Sequence, residues 1–88
     1  MHPSDILRRM SNTRTGYKGY VIEAHPFQLA EDRRWSTDLN IQRHDSEGVS
    51  VAPYSGALTF ARKDEAIEHC ISLGAQIIDG EYAGCVAP

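Results

Sequence analysis

The clearest pattern of apolar and polar positions lies near the C-terminal end, over Lys63–Asp79. Its apolar residues and one glycine recur at steps of three and four, on one stripe of a helix: Ile67, Cys70, Ile71, Gly74, Ile77 and Ile78. Asp64 and Glu65 fall in the first turn, where the helix dipole favours negative charge. Gly80 stands where a left-handed C-terminal cap is expected. The pattern predicts one long amphipathic helix.

The strongest alternation upstream of this helix covers Arg34–Arg43. Its two faces are Trp35, Thr37, Leu39 and Ile41 on one side, and Ser36, Asp38, Asn40 and Gln42 on the other. A period of two predicts a β-strand with one buried and one wet face. Since a helix with one apolar stripe needs a partner, we expect the apolar face of this strand to lie beneath the helix.

Two weaker strands are predicted on either side of the strong one. The segment Tyr17–Leu29 alternates around Ile22, and Val49–Tyr54 is expected to turn Val49 and Val51 towards the core. Each contains a proline, which cannot donate a ladder hydrogen bond and therefore favours an edge or the end of a strand.

Short connections between the strands predict an antiparallel meander. Asn12–Gly16 is expected to be a loop, Ala30–Arg33 and His44–Gly48 are expected to be turns, and Ser55–Gly56 is expected to end the last strand. Ser4–Ser11 has the pattern of a short helix in front of the sheet. The fold class is therefore α+β, a three-stranded antiparallel meander packed on one long C-terminal helix (α-β-β-β-α). We expect one domain over residues 1–88, with its ordered core at residues 17–80.

Composition narrows the possible functions. The chain has 41% hydrophobic and 24% charged residues, which is typical of globular proteins, and its net charge of −3 offers no general basic excess for nucleic acid or acidic membranes. It lacks an apolar run of the roughly 18 residues that a membrane span needs. The N-terminal segment Met1–Met10 does not have the pattern of a secretory signal, so we expect a cytoplasmic protein with two free cysteines.

Candidate chemistry is sparse. The potential metal ligands are His2, His25, His44, His69, Cys70 and Cys85, and none of them falls in a recognised ligand spacing. The neighbours His44 and Asp45 resemble an orienting pair, but Asp in a turn more often closes that turn by a local hydrogen bond. We therefore expect no catalytic residue, no metal and no cofactor.

Two functions stay open on the sequence. The leading one is association with a protein partner or with a second copy (a homodimer), because a small sheet covered by one helix leaves edges and a face unpaired. The alternative is nucleic-acid binding, since helix–three strands–helix is also the layout of double-stranded RNA-binding domains. The candidate cations are Arg8, Arg9, Arg33, Arg34, Arg62 and Lys63. Asp64 and Glu65 follow the last two at once and weaken that field.

Three segments together carry a resemblance: YKGYVIEAHPFQL, RWSTDLNIQR and LTFARKDEAIEHCISLGAQIIDG. They resemble small bacterial domains of unknown function in which a Y-x-G-Y strand and a tryptophan-containing strand precede a TF…EA helix. The similarity covers about residues 17–80 and implies no catalytic residue. The layout is also similar to the partial RNase-H-like fold of HicB-type antitoxins, which implies binding to a small partner protein; no site residue carries over from that family.

Overall fold

Four strands and one helix make up the fold. The computed structural model describes residues 13–82 and 84–88. In chain order the elements are β1 (Arg14–Tyr17), β2 (Tyr20–Ala24), β3 (Trp35–Asp45), β4 (Gly48–Phe60) and helix α1 (Lys63–Ile78). The strands form one antiparallel sheet in the order β1-β2-β3-β4. This confirms the α+β class and the helix, while the helix predicted at Ser4–Ser11 lies outside the described residues.

The sheet has four strands where the alternation predicts three, because a hairpin divides the first predicted strand, Tyr17–Leu29. Lys18 and Gly19 have φ values of 50° and 86°. Two successive left-handed residues form the type I′ turn that joins antiparallel strands without splaying them. Arg14–Gly16, which belong to the segment expected to be a loop, therefore pair with β2 as part of β1. The prediction of a loop there is wrong.

The core lies between α1 and the strands β2 and β3. Its buried members are Ile22, Ala24, Leu39, Ile41, Cys70, Leu73 and Ile77. On β3 the alternation is confirmed for Thr37, Leu39 and Ile41, which are all buried. It is wrong for Ser36, which is expected on the wet face but is buried, with its hydroxyl accepting the N–H of Phe27 in the loop after β2 at 3.0 Å. Trp35, expected on the buried face, is only half-buried at the start of the strand.

On the helix the buried face is rotated slightly from the predicted stripe, because Ala66 and Leu73, which the stripe did not include, are buried. Within the described residues, no helix has the length and apolar character needed to cross a membrane.

The strand β4 faces the helix with different residues from those predicted. Ile41 lies opposite Ala52 in the β3–β4 ladder, which places Ala52 on the helix side of the sheet. Val49 and Val51 consequently lie on the other face, where each is 55% exposed. A change of one residue in register reverses the face of every side chain, and the alternation alone does not give the register. The strand also continues through Ser55–Gly56, so the predicted break is wrong too.

The C-terminal end of α1 is tied to the β1–β2 turn. Gly80 follows the helix at φ 76°, as predicted for a left-handed cap. The carboxylate of Asp79 accepts hydrogen bonds from the Tyr17 hydroxyl at 2.7 Å and from Lys18 Nζ at 2.6 Å. These bonds, that of Lys18 first, hold the pKa of Asp79 below its usual range. The same turn that adds a strand therefore also anchors the helix.

Candidate functional site

The sheet presents two surfaces to its surroundings. We call the side opposite α1 the open face, since none of the described residues packs over it as a second layer. The sheet ends at β1 on one side and at β4 on the other. The strand β1 has four residues, whereas β4 has thirteen. The longer strand offers the larger surface for another polypeptide chain.

The direction of the backbone groups on β4 follows from the ladder of hydrogen bonds. Ala24 N–H donates to the carbonyl of Thr13, and His25 N–H donates to the carbonyl of Asp38, both at 2.7 Å. Because bonding alternates along an antiparallel strand, the even-numbered residues of β3 bond to β2 and its odd-numbered residues bond to β4. The β3–β4 register pairs odd residues with even ones, so the odd-numbered residues of β4 direct their backbone groups away from the sheet.

Four odd-numbered residues form the middle of this free edge. Val49, Val51 and Ser55 each direct a backbone N–H and a C=O outwards, and Pro53 directs only a C=O. Pro53 therefore occupies a position where its missing N–H removes no bond from the sheet, as edge prolines do. Of the two positions predicted for Pro53, an edge or the end of a strand, the structure has the edge, since β4 continues beyond this residue. We call the stretch Gly48–Ser55 the open edge.

The open edge lacks one common protection of a sheet edge, which is charged side chains. Natural edge strands are commonly blunted by charged side chains, above all by lysine. No Asp, Glu, Lys, Arg or His occurs in β4 between Gly48 and Phe60. Instead, three large apolar side chains of β4 are exposed by more than half: Val49, Val51 and Leu58. Pro53 and the irregular register near Trp35 are the features of this strand that interrupt pairing.

The hairpin between β3 and β4 is exposed at the end that carries its turn, over residues 43–51. Its turn is closed locally, because Asp45 Oδ1 accepts the N–H of Glu47 at 2.9 Å. His44 Nε2 lies 3.3 Å from Gln42 Oε1 instead of being oriented by Asp45. The prediction that Asp45 closes a turn is confirmed. One end of the open edge therefore lies in the exposed part of this hairpin.

A polar network centred on Glu23 occupies the middle of the open face. Glu23 Oε1 lies 2.8 Å from His25 Nε2 and 3.4 Å from each of the amide nitrogens of Asn40 and Gln42. Its other oxygen pairs with Arg14 at 3.1 Å. The bond to His25, with smaller help from Asn40 and Arg14, holds the pKa of Glu23 below its usual range. The network joins three strands through one carboxylate. The part of the open face beside the valines of β4 is therefore polar, and its side chains are held in place by hydrogen bonds.

The predicted cationic residues fall into two groups. Arg8 and Arg9 lie outside the described residues. The other four are brought to the end of the sheet where Trp35 pairs with Phe60: Arg33, Arg34, Arg62 and Lys63. The two arginines before β3 are nearly thirty residues from the two cations after β4, so the sequence did not predict that they lie close together. They meet because β4 runs antiparallel to β3 and brings the chain back to the same end of the sheet.

Three of these cations already have contacts within the protein. The Arg34 guanidinium donates to the Thr59 hydroxyl and carbonyl, both at 2.7 Å. Arg62 forms a two-point ion pair with Asp64 at 3.1 and 3.0 Å. Lys63 Nζ lies over the Trp35 ring, 5.4 Å from its centroid. The neighbouring acidic residues Glu31, Asp32, Asp64 and Glu65 equal the four cations in number, so this end carries little net field.

The two cysteines are both free. Cys70 is fully buried and its thiol donates to the carbonyl of Asp38 at 3.3 Å; burial raises the pKa of this thiol. Cys85 is half-buried in a shallow pocket of about 440 Å³ beside Tyr20 and Ile78. In the described part of the chain, no group of three or more His, Cys, Asp or Glu residues is arranged to hold a metal ion.

No family model, curated protein or solved structure matches this chain. The resemblances to small bacterial domains, HicB-type antitoxins and double-stranded RNA-binding domains therefore stay predictions.

Proposed function

We propose that this protein is an association module that pairs its open edge with a β-strand of another polypeptide. The observation that carries the proposal is the thirteen-residue edge strand β4, which has no charged residue and directs alternate backbone groups outwards. Strand addition to an exposed edge is a common mode of recognition, in which main-chain hydrogen bonds give affinity and alternate side chains give specificity.

The side chains of β4 indicate which strands would pair with it. On the open face an incoming strand would lie beside Val49 and Val51, whereas on the helix side it would meet the small residues Ser50 and Ala52. Apolar β-branched side chains pack well in such cross-strand pairs. An incoming strand with β-branched residues on the open face and small residues on the other face would therefore fit this edge best.

The central experiment changes the edge without changing the fold. Val51→Lys places a charge on the open edge, where its side chain is exposed. Ser72→Lys adds the same charge at an exposed position of α1 and serves as the matched control. The wild-type chain and both variants would be immobilised and exposed to lysate of the source cells and, separately, to purified untagged protein.

We expect a polypeptide that the wild type and the Ser72→Lys variant both retain and that the Val51→Lys variant releases. An edge lysine disfavours strand addition because pairing would desolvate its charge. The proposal is wrong if Val51→Lys retains everything that the wild type retains. It is equally wrong if the folded wild-type protein retains no polypeptide from the lysate and does not bind the purified untagged protein.

A second candidate function is nucleic-acid binding at the cationic end of the sheet. The observation that favours it is the approach of Arg33 and Arg34 to Arg62 and Lys63 across the sheet. Binding to double-stranded RNA through phosphates would weaken steeply with added salt. Fluorescence anisotropy with a labelled RNA duplex at low and physiological salt tests it, with Arg33→Ala expected to lower both the affinity and the salt dependence. Unchanged anisotropy at low salt would exclude this candidate.

A further inference from the structure

We infer that the strand that pairs with the open edge is β4 of a second copy of this chain, antiparallel, with the two-fold axis passing through Ser50. The inference rests on the proposed function and identifies its partner. In this arrangement Val49 of one copy lies opposite Val51 of the other, and the two sheets join into one continuous antiparallel sheet.

The length of the free segment favours this register. The turn ending at Gly48 limits the edge on one side, and Pro53, which has no N–H, limits it on the other. The outward-directed residues between these limits are Val49 and Val51, placed symmetrically about Ser50. With the axis at Ser50, each valine exchanges both N–H···O bonds with its opposite. An axis at Val51 would place Val49 opposite Pro53, which has no N–H to donate, so the Val49 carbonyl would be left without a partner inside the contact. That register would form no more hydrogen bonds than the axis at Ser50, which leaves no outward group between the two limits unpaired.

The side chains of the segment complement themselves. Two exposed valines from each copy would meet on the open face, where directly opposite apolar β-branched residues stabilise a sheet. Because β4 carries no charge, its self-pairing places no like charges opposite one another. For a chain with a net charge of −3, an uncharged strand is the segment at which two identical copies can approach with least repulsion.

The position of the segment gives a second copy access. Residues 43–51 are exposed on both faces of the hairpin, so a second copy can reach this segment without displacing α1. A two-fold contact of this kind uses the same patch on both partners and closes on itself, which yields a dimer and not a fibre. Since the paired segment is short, we expect an interface below the ~1,200 Å² of standard complexes and hence a reversible, concentration-dependent dimer.

The test is disulfide trapping at the axis. In this register the two Ser50 residues form a non-hydrogen-bonded pair, for which the Cα atoms lie about 4.5 Å apart, within reach of a disulfide. Ser50→Cys would be oxidised in a Cys85→Ser background, which leaves the buried Cys70 as the other thiol. Ser55→Cys is the matched control, because it lies on the same exposed strand but would be separated from its copy by roughly 30 Å.

We expect a covalent dimer with Ser50→Cys and none with Ser55→Cys, together with a mass that rises with concentration in sedimentation of the wild type. Equal cross-linking of both cysteines would overturn the inferred register. A wild-type monomer at every concentration would overturn the dimer. If that monomer nevertheless retains another protein from the lysate, and Val51→Lys releases it, the proposed function stands and only the inference about the partner fails.

Discussion

The contact between α1 and β2 gives the sharpest stability prediction. Gly74 lies in the interior of the helix and faces Ile22 on β2. A Cβ atom on residue 74 would lie 2.6 Å from Cγ2 of Ile22, and 3.1 Å from each of its Cδ1 and Cγ1 atoms. The first distance is well below carbon–carbon contact, so Gly74→Ala requires the helix or the isoleucine to move.

Two opposing effects set the magnitude. In a helix interior, alanine is favoured over glycine by about 1 kcal/mol. Overpacking of a well-packed core costs about 1–3 kcal/mol. Ile22 is fully buried and branched at Cβ, so it has few other rotamers into which Cγ2 can move. We therefore take the upper half of the overpacking range and expect Gly74→Ala to lower the free energy of unfolding by a net ~1 kcal/mol or somewhat more.

Urea denaturation of the single variants measures this balance, with a constant slope as evidence that the unfolding stays two-state. Ser72→Ala is the control, because this exposed helical residue gains propensity without a new contact and should raise the midpoint slightly. In the double variant Ile22→Ala with Gly74→Ala, the cavity accepts the added methyl group, so the combined loss should be smaller than the sum. If Gly74→Ala raises the midpoint as Ser72→Ala does, the packing argument is refuted.

Three further predictions concern the core, the helix end and the edge. Leu39→Ala should cost about 2–5 kcal/mol by the same denaturation assay, and Ile67→Ala should cost less because Ile67 is only half-buried; equal losses would contradict the assignment of the core. Asp79→Asn should lower the midpoint at neutral pH by removing the ion pair with Lys18. Since folding lowers the pKa of this carboxyl group, the difference from wild type should be full above the unfolded value of about 3.9 and should vanish as the pH falls through the folded value; a gap independent of pH would count against it. Pro53→Ala should supply an outward N–H, lengthen the segment that can pair and increase self-association measured by light scattering, while a mass unchanged at equal concentration would show that Pro53 does not limit pairing along the edge.

Residue types and their spacing were sufficient to predict those helices and strands whose sequence signals lie within a few neighbouring residues. The helix begins at Lys63 as predicted and its cap glycine follows at Gly80, since dipole and capping preferences act within one turn. The apolar alternation in Arg34–Arg43 identified the buried face of β3 because successive side chains of a strand necessarily point to opposite sides. The hairpin at Lys18–Gly19 was missed, since only its glycine is a strong left-handed signal.

The candidate site depended on information that is not local. The sequence predicted an edge or a strand end at Pro53 and an unpaired edge or face, but it placed Val49 and Val51 in the core. The pairing register with β3 decides the face to which those valines belong, and the order of strands places β4 at the edge, with no described strand on its outer side. The alternation of side chains within one strand is the same for either register. Side-chain periodicity could therefore predict that β4 is a strand, whereas only its pairing with β3 decides that it lies at an open edge and which face carries the valines.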